Sequence, residues 1–394
     1  MQHWKKQISL LWCCQFLSIA AMEMSEPFWP LFLNQLSPNN GQITLWSALI
    51  YSAPLLISSL VAPYWGILGD RYGHKKMVLR ATLGLSVTQG LLYFASELWH
   101  VLALRLLQGA LAGVITAILC FANHITPTIK RSVVIGNLTS ATAAGAILGP
   151  FVGGVLIQWL NFVTVFALAS AICFAITLAL SIGLQASTPK PPSQQNQHSS
   201  RKVTKKITGL IGLGLLTIFL LQAAKALPSS FFALYAEQYL TASPFIIGLL
   251  FSAAGVGMML SAPIWGKRFE HFTHVNKPLV LAGIAMAASA CYLLHIQTNL
   301  LLLLLVRFIW GLCLGALLPM LQALMITFTE EYQHGTLIGR AQRFIKLGNL
   351  VGVSAGALLI IWWDYAIGFI VAAILYIGVA IALFAIRSKY QQGH

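Results

Sequence analysis

Twelve long apolar stretches, parted by short polar connections, set the pattern of this chain. They lie at roughly 8–36, 43–68, 77–97, 100–123, 133–159, 162–184, 207–237, 244–266, 278–296, 299–328, 337–362 and 364–386. A helix needs about 20 apolar residues to cross the hydrocarbon of a bilayer, so each stretch is predicted as one spanning helix. One connection differs from the rest. Residues 185–206, from Gln185 to Lys206, are rich in Pro, Ser, Gln and Lys, the composition of a linker with no core of its own. It divides the chain into a six-helix bundle at 1–184, a cytoplasmic linker at 185–206 and a second six-helix bundle at 207–394 that ends in a short tail. The expected fold class is an all-α membrane protein of twelve spans in two pseudo-symmetric bundles.

Composition narrows the function classes. Of 394 residues, 58% are hydrophobic and 8% charged, against about 25% charged in an ordinary soluble domain. That excludes a disordered chain and leaves no room for a soluble enzyme of two or three domains. The net charge of +15 on a soluble protein would point to nucleic acid. Here the placement of the charge decides. Eighteen of the 24 Lys and Arg fall between, outside or at the edge of the stretches: Lys5, Lys6, Arg71, Lys75, Lys76, Arg80, Lys130, Arg131, Lys190, Arg201, Lys202, Lys205, Lys206, Lys267, Arg268, Lys277, Arg387 and Lys389. They occupy alternate connections only, the positive-inside pattern, which places both termini in the cytoplasm and requires an even number of spans. Lys5 and Lys6 before an apolar run resemble a signal peptide, but no small-residue cleavage site follows, so this is read as a retained first span. The six cysteines lie inside apolar stretches and fit neither a zinc site nor a disulfide framework.

The two halves repeat each other. Ala62-Pro63-Tyr64-Trp65-Gly66 returns as Ala262-Pro263-Ile264-Trp265-Gly266, and Ser52-Ala53 as Ser252-Ala253, at an offset of 200. Arg105, Gly109 and Gly113 match Arg307, Gly311 and Gly315 at 202; Gly145, Gly149 and Gly153 match Gly348, Gly352 and Gly356 at 203. Duplicated halves around a midplane site are the usual architecture of secondary transporters.

Three motifs carry a resemblance. Gly66-Ile67-Leu68-Gly69-Asp70-Arg71-Tyr72-Gly73-His74-Lys75-Lys76 resembles the loop signature between spans 2 and 3 of the major facilitator superfamily, with His74 a departure. The resemblance makes Gly66, Gly69, Asp70, Arg71, Gly73, Lys75 and Lys76 a conformational latch. Leu102-Ala103-Leu104-Arg105-Leu106-Leu107-Gln108-Gly109 resembles the span-4 motif of that superfamily, whose Arg is linked to proton transfer; Arg105 takes that role by resemblance. Gly145-Ala146-Ile147-Leu148-Gly149-Pro150-Phe151-Val152-Gly153-Gly154 resembles the span-5 motif of its twelve-span drug–proton antiporters, in the multidrug and siderophore efflux branch. Glycines four apart make a groove that accepts a second helix closely, and Pro150 removes a backbone donor.

Ionisable residues inside a span are functional candidates. Glu23 and Glu26 lie three apart in span 1, on one face of a continuous helix, where burial and mutual repulsion favour uptake of a proton. The alternative is a wet mouth, given Pro27 and Pro30. Aligning Ala20-Ala21 with Ala223-Ala224 puts Lys225 of span 7 opposite Met22, at the depth of Glu23. Lys225 is expected to be the counter-ion of Glu23 or Glu26, or to grip an anionic substrate group. Phe28, Trp29, Phe32, Phe231, Phe232 and Tyr235, with Lys346 from span 11, are candidate linings of a substrate cavity; ordinary packing is the competing reading of the aromatics.

The function expected is proton-coupled export of a small amphipathic molecule by alternating access, driven by the proton gradient and with no cofactor or metal. An anionic siderophore as cargo, uptake by symport, and a non-transporting sensor or scaffold remain as alternatives. The chain is expected in the cell inner membrane, as a monomer, with lipid, protons and the small-molecule substrate as its partners and no nucleic acid.

Overall fold

The structure, a computed structural model, describes residues 3–37, 42–111, 113–127, 131–185, 205–273, 275–296, 299–327 and 334–391. Most of the linker lies outside them, as does Lys130, and so does the side chain of Asp70. Among the described residues the regular structure is helical. The first half gives α1 (His3–Glu23), α2 (Trp29–Leu36), α3 (Ile43–Tyr72), α4 (His74–Leu92), α5 (Leu98–Leu111), α6 (Val114–Ile125), α7 (Arg131–Trp159) and α8 (Phe162–Gly183). The second gives α9 (Lys205–Ala226), α10 (Phe232–Leu240), α11 (Pro244–His271), α12 (Lys277–Leu294), α13 (Leu300–Ile326), α14 (His334–Trp362) and α15 (Tyr365–Gln391).

Eleven spans among the described residues are long and apolar enough to cross a membrane, one fewer than the twelve stretches. The third stretch accounts for the difference. It forms α4, a helix of 19 residues with Lys75, Lys76 and Arg80 in its opening turns and Thr82, Ser86, Thr88 and Gln89 buried. These polar groups stitch α4 to α8: Ser86 Oγ donates to the Ser170 carbonyl at 3.0 Å, Ser170 Oγ returns a bond to the Ser86 carbonyl at 2.8 Å, and Thr177 meets Thr82 at 2.9 Å. Small polar residues are how apolar helices adhere without a hydrophobic drive between them.

Many large apolar side chains point outward, including Ile182 at 87% exposure and Leu60 and Phe94 at 75%. Such a surface is stable against lipid, where the helices satisfy their own backbone groups.

The helices form two compact units, Met1–Asn196 with Ser243–Ser252, and Gln197–Ala242 with Ala253–His394. The division falls inside the 185–206 stretch, but the first residues of α11 group with the first unit. There Ser252 Oγ donates to the Ile147 carbonyl at 2.7 Å, and a Cβ on Gly154 would meet the Pro244 carbonyl at 2.6 Å.

Within each unit the duplicated glycines make duplicated contacts. In the first, a Cβ on Gly145 would meet the Phe16 carbonyl at 2.7 Å, one on Gly149 the Ala20 carbonyl at 2.7 Å, and one on Gly153 would run into the Met24 carbonyl. In the second, Gly348, Gly352 and Gly356 are pressed in the same way against the carbonyls of Phe219, Ala223 and Leu227. Ser289 likewise donates to the Ala373 carbonyl at 2.9 Å, as Ser86 does to Ser170. One packing scheme, α7 on α1 and α14 on α9, is used twice.

Candidate functional site

Span 1 does not continue as one helix through its carboxylates. It breaks after Glu23, resumes as a 3-10 turn at Glu26–Phe28, and becomes α2 at Trp29. The prolines are the cause. Pro27 and Pro30 have no amide hydrogen, so neither can bond to the carbonyl four residues back, at Glu23 and Glu26 respectively. The Glu26 carbonyl accepts from the Tyr51 hydroxyl of α3 instead. Glu23 and Glu26 therefore do not share one α-helical face, which corrects the expectation from their spacing.

Glu26 pairs with Arg105. Arg105 Nη2 lies 3.1 Å from Glu26 Oε1 and 3.3 Å from Oε2. Trp29 donates its indole N–H to Oε2 at 3.1 Å. The guanidinium is held on its other edges too: Nε donates to the Ile50 carbonyl at 3.0 Å and Nη1 to Gln108 Oε1 at 2.9 Å, while its plane lies 4.7 Å from the Trp29 ring centroid. The Arg105 side chain is 3% exposed and that of Glu26 34%. A planar cation with several fixed donors suits a buried carboxylate partner better than a lysine would. Of the two carboxylates for which Lys225 was expected as a counter-ion, Glu23 and Glu26, the second thus has Arg105 as its partner. Lys225 belongs to the second unit, in the last turn of α9, and is exposed.

The candidate aromatics sit in packed clusters. Phe28, Trp29, Phe32, Phe231, Phe232 and Tyr235 are each at most 5% exposed. Trp29 and Phe32 pack on Phe166, at centroid distances of 5.5 and 5.0 Å, and Phe231, Phe232 and Tyr235 pack on Phe369 at 5.3, 6.4 and 5.0 Å. They form ring clusters rather than an open lining, because flat side chains at successive helical turns meet their own neighbours first. Lys346 is half-buried on α14.

Around this geometry, the family model described as Major Facilitator Superfamily matches residues 11–213 and again 214–393. The chain belongs to the major facilitator superfamily. It is accordingly a multi-pass membrane transporter and not an enzyme. It is 30% identical over 90% of its length to a protein of Lactococcus lactis called multi-drug resistance efflux pump PmrA homolog, covering 88% of that protein. It is also 30% identical to the staphyloferrin B transporter of Staphylococcus aureus (95% of this chain, 91% of that one) and to multidrug resistance protein MdtG of Klebsiella pneumoniae (94% and 91%). A solved bacterial homolog of the human lysosomal transporter Spinster has the same fold, with a TM-score of 0.78 at 12% identity over 99% of this chain and 98% of that one.

The superfamily loop motif lies where α3 meets α4. Gly73 joins them at φ 93°, a conformation that favours glycine. Gly69 is close-packed, since a Cβ there would meet His74 Nδ1 at 3.2 Å, whereas around Gly66 there is open space. Arg71 and Lys76 are exposed. Lys75 does something the motif did not announce: its ammonium donates to the carbonyls of Ser181 (2.8 Å) and Leu184 at the end of α8. A cation there satisfies terminal carbonyls and meets the negative end of the helix dipole. Lys75→Gln is expected to lower stability by about 1 kcal/mol, read as a lower unfolding midpoint in detergent.

The superfamily's duplication makes the site asymmetric. Arg307, the repeat of Arg105, is also buried, and lies 3.7 Å over Phe232 and 5.4 Å from the Trp310 ring. At the repeat offsets Ser229 stands for Glu26, Phe232 for Trp29, Phe251 for Tyr51 and Trp310 for Gln108. The positions that give Arg105 its carboxylate and amide partners thus carry a serine and a tryptophan in the repeat, and the rings of Phe232 and Trp310 lie against Arg307. Tyr51 was not anticipated from the sequence. The signal was its replacement by Phe251 beside the repeated Ser52-Ala53. Arg105→Lys keeps the charge but not the fork, and is expected to slow transport about 10- to 100-fold, measured as the initial rate in membrane vesicles.

Proposed function

We propose that this transporter exports a small amphipathic molecule in exchange for protons, with Glu26 as the group that takes up and releases the proton. One observation carries this reading: a carboxylate in a broken span, one-third exposed and bound to a buried arginine. Protonation of Glu26 removes the charge from its bonds with Arg105, which lose about half their strength. Arg105 keeps Gln108 and the Ile50 carbonyl as partners, so the cation remains held while the carboxyl is let go. A proton taken from outside would weaken the hold on substrate, and its loss to the cytoplasm would reset the site. Each charge moved draws about 2.3 kcal/mol per 100 mV of membrane potential.

The relatives named as multidrug efflux pumps support export. The relative named as a staphyloferrin B transporter supports a second reading of the cargo, an anionic siderophore, for which Lys225 and Lys346 supply basic groups. Alternating access in the cell inner membrane, with both termini cytoplasmic and the chain acting as a monomer, completes the proposal; the alternate placement of the basic connections supports the orientation.

Proteoliposomes holding the purified protein and a pH dye test this. Addition of a transported compound should move protons opposite to the compound. Movement in the same direction would mean symport, and no proton movement with a compound that crosses would overturn the coupling.

A further inference from the structure

Span 4, which carries Arg105, is interrupted. Its described helices are α5, to Leu111, and α6, from Val114, and Gly113 before α6 takes φ 113° and ψ 25°. The repeat does not share the break: α13 runs unbroken through Gly315. An unbroken helix would aim the Ala110 carbonyl at the amide of Val114. That carbonyl accepts the Trp65 indole N–H at 2.8 Å. Trp65 is held in turn, because the Arg80 guanidinium stacks 3.5 Å from its ring centroid.

Trp65 belongs to α3, one residue before Gly66 and the loop that follows. The same helix fastens α5 at two further points. Its Ile50 carbonyl accepts from Arg105 Nε, and at mid-length Gly109 lies so close to Pro54 that a Cβ would meet Pro54 Cα at 2.7 Å. Three fastenings along one face make α3 and α5 a single lever. The break at Gly113 separates that lever from α6, where the Ala117 amide donates to the Gly113 carbonyl at 2.8 Å.

We propose that Trp65 is a positioning residue for transport: by bonding to the Ala110 carbonyl on the near side of the break it ties the Arg105 half-helix to the helix bearing the Gly66–Lys76 loop. A change at the Glu26–Arg105 pair then reaches the cytoplasmic loop through α3 while α6 stays behind. This rests on the reading of Glu26 above.

Hydrogen–deuterium exchange of the purified full-length protein, with and without a compound shown to be transported, separates the two ideas. The amides to follow are Ala117, just past the break, and Gly73, which bonds to the Gly69 carbonyl at 2.9 Å. In the wild type both should change protection when the compound is added; in Glu26→Gln neither should. In Trp65→Phe the Ala117 change should persist and the Gly73 change should vanish. Replacement of Trp65 by benzothienylalanine, which keeps the bicyclic shape over Arg80 and lacks the N–H, should behave as Trp65→Phe does and guards against a packing defect. Both replacements should lower the maximal transport rate about five- to tenfold, the worth of one hydrogen bond, with KM within twofold. A full Gly73 response in both replacements would overturn the role of Trp65 and leave Glu26 standing. Responses that survive Glu26→Gln would overturn the reading of Glu26 itself, and a wild type silent at Gly73 would overturn the link.

Discussion

Glu26→Gln should abolish proton-driven accumulation, with a fall of at least about 100-fold in the initial rate measured in everted membrane vesicles. Glu26→Gln takes the counter-charge from a buried arginine, and the lost group is also the one proposed to carry the proton. The amide oxygen of Gln, in the place of Oε2, can still accept from Trp29 at 3.1 Å and from Arg105 at 3.3 Å, while the bond at Oε1 is lost. The fold and the equilibrium exchange of substrate across the membrane should therefore survive. That contrast separates lost coupling from lost structure. Glu23→Gln should cost less, because the charge-assisted bonds to Arg105 belong to Glu26. Equal losses in the two variants would move the proton site to the pair of carboxyls together.

Gly153→Val should prevent stable folding. A Cβ there would run into the Met24 carbonyl and lie 2.8 Å from Met24 Cα, and backbone cannot step aside as a flexible side chain can. Overpacking of this kind costs about 1–3 kcal/mol when side chains yield, and more where they cannot. The repeat gives a paired test, since Gly356 is pressed against the Leu227 carbonyl in the same way. Both Val variants should show little folded protein by size-exclusion chromatography in detergent. Gly136→Val on the same helix, where nothing lies within 4 Å of the added carbon, should fold normally. A well-folded Gly153→Val would mean that α7 and α1 are held apart more widely than described.

Much of the architecture was legible in the sequence because lipid imposes one strong rule, a run of apolar residues for each span. The repeat of Gly145, Gly149 and Gly153 in Gly348, Gly352 and Gly356 announced a duplicated contact. The offset of 203 also named the partners, since Ala20 corresponds to Ala223. Hydropathy could not show where spans break. Pro27 and Pro30 signalled the interruption after Glu23, yet the helical spacing of the two glutamates argued for continuity, and the missing amides decided otherwise. In span 4 a single glycine marks the break, and the same glycine at 315 sits within a continuous helix. Nothing local distinguishes the two.

The partner of Glu26 was hidden for a different reason. Depth along a span is readable from counting residues, and depth alone suggested Lys225. Which side of its helix a residue faces, and which helix lies beside it, is set by packing. Gly109 lets α5 seat closely on α3, against Pro54, and this places Arg105 beside Ile50 and Glu26. The aromatic candidates misled in the opposite direction. Rings beside charged positions look like a lining, but Trp29 and Phe32 close on Phe166 within the first unit.

Proton release on substrate binding tests the claim about Glu26 most directly. Purified protein in weakly buffered detergent solution, with a pH indicator and a compound shown to be transported, reports protons displaced as the compound binds. The wild type should release protons, and Glu26→Gln, binding the same compound, should release none. Equal release by the two proteins would contradict proton exchange at Glu26.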